Sequence, residues 1–261
     1  IPTQAIASLV GIPREKFPIF DSLAYGVVRG INPMLTPEER KEAIKGVPEG
    51  LALLNELIDE RRANPSDDFL STLILAEDEG SKLSNLEMCA LVGAVLGAGS
   101  DTAVDLHSYL IKNLLQHPEE FESLKADPTL VQGAISETLR YESSGKTGLA
   151  RYASENLEIN GNLIKKGQMV QLITSTAGMD SSIYDDPRKF DIQRDHDKSI
   201  SFGQGPHYCI GVTLVRSQTE VMLKELFKRF PNLSLGGEIV YDYNHHNARR
   251  MDVMTVDTNL I

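Results

Sequence analysis

FGQGPHYCIG, residues 202–211, sets one cysteine, Cys209, in a glycine-rich loop directly before an amphipathic helix expected over roughly 212 to 230. The first-turn N–H groups of that helix point toward Cys209, and their partial positive charge stabilises a thiolate. Gly203, Gly205 and Gly211 permit backbone angles and close approaches that a side chain would block, as a flat macrocycle lying against the loop would require. An isolated cysteine is more often a buried structural thiol. The glycines around this one point to a ligand instead.

Upstream of the loop, an irregular, proline-interrupted stretch, DSSIYDDPRKFDIQRD, follows strand-like alternation in LEINGNLI and QMVQLIT, with Asn160-Gly161 as a hairpin turn signal. Before these strands the chain reads as helices. Thr36, Pro37 and Glu39 form a capping box opening a helix expected to run to about Arg62, and Asn64-Pro65 stops it before a shorter helix holding Phe69, Leu70 and Leu73. A second capping box, Ser84 and Glu87, opens the longest periodic stretch, which continues without proline to His117-Pro118; some 32 residues would span roughly 48 Å. Two more helices are expected over 118–126 and 130–142. The chain reads as one domain over 1–261: helix-rich over 1–143, small β and cysteine-loop region over 144–211, last helix and tail over 212–261.

Two further groups of residues carry possible chemistry. Glu137 and Arg140 stand at i,i+3 on a helix, by itself an ordinary ion pair, and Arg194 lies in the irregular segment. Within the long helix, Gly93, Gly97 and Gly99 each cost about 1 kcal/mol relative to alanine, and they lead into Ala98-Gly99-Ser100-Asp101-Thr102. Read alone, Ser100-Asp101-Thr102 could start a helix or make a turn, but the capping box at Ser84 argues against a new start.

These residues resemble the cytochrome P-450 family. Its cysteine loop is Phe, two residues, Gly, three residues, Cys, one residue, Gly, and Phe202, Gly205, Cys209 and Gly211 match every position. The resemblance implies a mainly α fold with small β-sheets, corresponding to the family's later two-thirds with the N-terminal third absent. It implies haem b held by Cys209 as iron ligand, with Phe202 beside porphyrin and sulfur, His207 and Arg151 on the propionates, and Gly203, Gly211 and Ala98 near the macrocycle. Glu137, Arg140 and Arg194 would form a buried brace beneath it. Asp101 and Thr102 would be the acid and alcohol that deliver protons during O2 activation.

The implied activity is monooxygenation of a small, largely apolar organic substrate. O2 is the co-substrate, and electrons come from NAD(P)H through a separate ferredoxin or flavodoxin, because no flavin or dinucleotide fingerprint is present. A non-catalytic truncated haem-binding or interaction module, or a peroxide-driven variant, are the alternatives. Arg216, Lys224, Lys228 and Arg229 could meet an acidic ferredoxin or simply form the polar face of the last helix; His245-His246 could face a substrate pocket or a solvated loop.

Composition narrows the remaining classes. Lys plus Arg is 26 against 37 Asp plus Glu, a formal charge of −11, which disfavours nucleic acid and anionic membranes as partners. Two cysteines in 261 residues suit a reducing compartment, and no run approaches about 20 uninterrupted apolar residues, so a cytoplasmic protein is expected.

Overall fold

The structure is a computed structural model describing residues 1–78, 81–145, 148–242 and 248–259; His245-His246 lies outside the described residues. Two compact units, Ile1–Val104 and Asp105–Ile261, divide the chain. The long helix α6, Asn85–Gln116, contributes to both.

In the first unit the order is α1 (Pro2–Val10), α2 (Phe17–Gly30), α3 (Pro37–Ala43), α4 (Val47–Ala63), α5 (Phe69–Leu75), a minimal hairpin of β1 (Glu77–Asp78) and β2 (Ser81–Lys82), then α6. Both capping boxes form. Glu39 N–H donates to Thr36 Oγ1 at 3.2 Å and Glu87 N–H to Ser84 Oγ at 3.3 Å, with each glutamate carboxylate accepting from the capping residue's backbone. The single helix expected from Thr36 to Arg62 is in fact two, broken between Ala43 and Val47. Pro48 explains the break: it has no N–H and its ring clashes with the carbonyl four residues back, so it fits only in a first helical turn.

The core of this unit is built from Ile6, Phe20, Leu23, Leu54, Ile58, Leu70, Val92 and Leu96. Glycines bring its helices close. A Cβ on Gly50 would lie 2.5 Å from Leu23 Cβ, and one on Gly26 would lie 2.4 Å from Val47 Cγ2. Gly50→Ala should therefore cost about 1–3 kcal/mol, since the clashing atom is the root of a buried side chain and moves only with its backbone. The check is the urea midpoint at constant m-value; an unshifted midpoint would show that α2 and α4 separate freely.

The second unit continues with α7 (Pro118–Ala126), α8 (Val131–Tyr141), β3 (Leu149–Tyr152), β4 (Leu157–Ile159), β5 (Asn162–Ile164), β6 (Met169–Leu172), the short α9 (Thr174–Ala177) and α10 (Val212–Arg229). Four strands close it: β7 (Ser234–Leu235), β8 (Val240–Asp242), β9 (Arg250–Val253) and β10 (Val256–Asp257). Among the described residues every sheet is a two-stranded antiparallel pair: β1–β2, β3–β6, β4–β5, β7–β10 and β8–β9. Asn160 and Gly161 turn the β4–β5 hairpin with φ of 50° and 77°, the paired positive φ that a two-residue loop needs.

Leu106, Leu110 and Leu114 of α6 pack with Phe121, Val131, Ile135, Phe190, Ile192 and Leu223 to form the second core. α6 is long and apolar enough to cross a membrane by length and composition alone. Its burial of Met88, Val92, Leu96, Leu106, Leu110 and Leu114 accounts for that apolar character within the fold.

Candidate functional site

The cysteine loop is closed by its own backbone. Cys209 N–H donates to the Phe202 carbonyl at 2.9 Å, Gly203 N–H to Ile200 at 2.9 Å, and Tyr208 N–H to Gly205 at 3.0 Å across a short 3-10 turn, Gly205–His207. Gly203 and Gly205 have φ of 75° and 62°, the left-handed region where a side chain is strained. Gly211 has an ordinary φ of −84°; a Cβ there would sit 3.8 Å from Cys209 Sγ, so glycine keeps that flank of the sulfur clear. Cys209 is half-buried between exposed Tyr208 and Ile210, and α10 begins three residues later, its Val212 N–H donating to the Cys209 carbonyl at 3.4 Å.

Behind the loop lies a polar knot with almost no solvent exposure. Glu137 and Arg140, with side chains 0% and 1% exposed, form a fork: Nε to Oε2 at 2.6 Å and Nη2 to Oε1 at 2.7 Å. The remaining Arg140 donors reach the carbonyls of Gly178, Pro187 and Lys189 at 2.7, 2.8 and 3.0 Å. Glu137 Oε1 also accepts Asp191 N–H at 2.9 Å. Arg194 joins the expected brace by a longer contact: its Nε is 3.5 Å from Glu137, while its terminal nitrogens bind the carbonyls of Asp185, Asp186 and Lys189. Both arginines thus pin the irregular segment by its backbone, as well as by charge.

Asp191 N–H and the carbonyl acceptors are not legible in the motif, because backbone partners leave no residue-type signature. The close approach of this segment is marked by glycine: a Cβ at Gly133 would lie 2.0 Å from Ile192 O, and one at Gly178 2.4 Å from Arg140 O.

Arg151 lies in β3 opposite Val170, exposed, its guanidinium donating to the neighbouring Ala150 carbonyl at 2.9 Å. His207 is also exposed. Ala98, Asp101 and Thr102 lie on α6 in the first unit, whereas Cys209 and the brace lie in the second. Ala98 and Thr102 are exposed and bonded to each other, Thr102 Oγ1 donating to the Ala98 carbonyl at 2.6 Å. The helix glycines beside them serve packing in part: a Cβ on Gly99 would meet Ile6 at 2.8 Å and one on Gly97 would meet Val27 at 3.2 Å, while Gly93 meets nothing.

The donor set suits haem. Among the described residues no group of three or more His, Cys, Asp or Glu is placed to hold a bare metal ion. A single half-buried thiol at a helix start would suit a haem, which brings its own macrocycle to the iron and would need one such protein ligand.

A family model described as cytochrome P450 matches residues 31–238. The chain belongs to the cytochrome P-450 family. Among relatives of this P-450 is the epothilone C/D epoxidase of Sorangium cellulosum, 39% identical over 260 residues, covering 98% of this chain and 62% of the relative. Another is the polyketide biosynthesis cytochrome P-450 PksS of Bacillus subtilis (strain 168), 34% identical over 238 residues, 90% of this chain and 57% of the relative. The solved structure of epothilone D-bound cytochrome P450epoK superposes with a TM-score of 0.89 at 39% identity, covering 98% of this chain and 64% of that one. The chain thus spans less than two-thirds of these relatives, and its mostly helical fold with small sheets is the P-450 fold over that span.

Proposed function

We propose that this chain is the larger part of a haem-thiolate monooxygenase whose iron ligand is Cys209. The observation that carries the reading is the cysteine loop itself: a half-buried thiol, flanked on one side by Gly211, at the start of an 18-residue helix. When bound, haem supplies O2 activation and the transfer of one oxygen atom to an organic substrate.

The chain's own residues act around that chemistry. The N-terminal dipole of α10 stabilises the Cys209 thiolate, and Phe202, tied to Cys209 through its carbonyl, shields the sulfur from water. Arg151 and His207, both exposed, would donate hydrogen bonds to the propionates. Ala98 supplies a small contact where the macrocycle lies against α6. Thr102 and Asp101 hold and pass protons; the bond to Ala98 fixes the Thr102 hydroxyl while leaving its oxygen free to accept a further hydrogen bond.

The Glu137–Arg140–Arg194 knot keeps the loop from shifting and takes no part in proton transfer. Two electrons arrive from NAD(P)H through a ferredoxin- or flavodoxin-type donor. The substrate is a largely apolar organic molecule; relatives named for epothilone epoxidation and polyketide biosynthesis make a polyketide the first candidate to test.

The test is the ferrous carbonyl spectrum of the full-length protein. Thiolate ligation gives a strongly red-shifted Soret band, and Cys209→Ser should abolish that band. A red-shifted band that survives in Cys209→Ser would overturn the ligand assignment.

A further inference from the structure

A cleft of about 620 Å³ opens in the second unit between α8, the irregular segment and the cysteine loop. Its walls include Ser136, His196, Asp197, Ser201, Phe202 and Arg216. Two of these residues carry buried donors with no acceptor. The Arg216 guanidinium lies over the Phe202 ring, 5.5 Å from its centroid, and its Nε is buried without a hydrogen-bond partner among the described residues. The His196 side chain is 13% exposed, and neither ring nitrogen has a hydrogen-bond partner there. Glu137 Oε2, 3.8 Å from His196 Nε2, is out of reach and already accepts from Arg140. A buried donor that has lost water without gaining an acceptor is unfavourable, and two around one cleft call for the same missing partner.

The partner must carry several acceptor oxygens, because Arg216 and His196 approach from different elements. Ser201 adds a hydroxyl that accepts from Ser199 at 3.1 Å and still has its own proton to donate. Asp197 narrows the choice. A fully deprotonated oxyanion would be repelled by this carboxylate, whereas an anion that keeps a proton near neutral pH can donate it to Asp197.

We propose that this cleft binds a phosphoryl group, as inorganic phosphate or a phosphate monoester, through Arg216, His196 and Ser201, with Asp197 accepting the phosphate O–H. The cleft is larger than inorganic phosphate needs, and Phe202 and Tyr208 offer the organic part of a monoester an aromatic wall. This binding is independent of the activity proposed above.

Calorimetric titration of the full-length haem-loaded protein with inorganic phosphate and with sulfate, at matched ionic strength and pH 7, tests the proposal. Phosphate should bind saturably and at least tenfold tighter than sulfate. Arg216→Gln should weaken phosphate at least tenfold, His196→Gln should weaken it as a second variant, and Asp197→Asn should erase the preference over sulfate. Equal affinity for both anions, or phosphate binding unchanged in both Arg216→Gln and His196→Gln, would overturn it. It would also be overturned if phosphate failed to saturate while an acidic redox protein bound wild type and lost affinity for Arg216→Gln; the cleft would then be a protein contact.

Discussion

Glu137→Ala should destabilise the unit Asp105–Ile261 by about 3–5 kcal/mol, the range for removing one partner of a buried ion pair. The variant strands Arg140, whose side chain is 1% exposed, and takes the acceptor from Asp191 N–H. Glu137→Gln should be milder but still costly. Its carbonyl can replace Oε1, which accepts from Arg140 Nη2 and Asp191 N–H, but its NH2 then faces Arg140 Nε–H, donor against donor. Denaturant unfolding read by tyrosine emission is suitable, since the sequence has 8 tyrosines and no tryptophan. A loss below about 1 kcal/mol in Glu137→Ala would show that water or backbone movement replaces the knot.

Acidification should weaken the fold through His107. Its ring is buried, with Nε2 3.0 Å from Thr219 Oγ1. The Thr219 hydroxyl donates to the Val215 carbonyl at 2.6 Å, so its oxygen accepts, which assigns the Nε2 proton of His107 as the donor to it. Burial pushes the His107 pKa down from 6.5 to about 4. The unfolded chain therefore takes up a proton before the folded chain does. The stabilisation is fully present above about pH 6.5 and is lost as pH falls toward about 4; the difference corresponds to about 3 kcal/mol. His107→Gln keeps an N–H for Thr219 and cannot titrate. The difference between wild-type and variant unfolding free energies should slope across pH 4–6.5, and a flat difference would refute the assignment. Taking the difference removes the carboxylates common to both proteins.

The capping boxes, the 32-residue helix and the Asn160-Gly161 hairpin were readable because each depends on neighbours a few residues apart. The break before Pro48 is equally local, but the apolar spacing on either side of it reads as one continuous helix. The cysteine loop was readable for the same reason: Gly203 and Gly205 satisfy backbone demands made by the loop itself.

The brace was legible only in part. Glu137 and Arg140 are one helical turn apart, so their fork follows from sequence spacing. The carbonyls of Gly178, Pro187 and Lys189 lie 38 to 49 residues away, and any residue type supplies a carbonyl. The same limit hid Arg216 over Phe202 and the unpartnered His196.

By itself the sequence determined the family pattern, most of the helices from Thr36 onward and the backbone demands of the cysteine loop, because short-range spacing and residue type are enough for caps and turns. Only the tertiary structure decided that Gly97 and Gly99 serve helix packing, that Arg194 binds mainly carbonyls, and that His107 is held neutral. Those outcomes depend on which distant backbone closes over a residue and excludes water from it, and desolvation is a property of the packed fold.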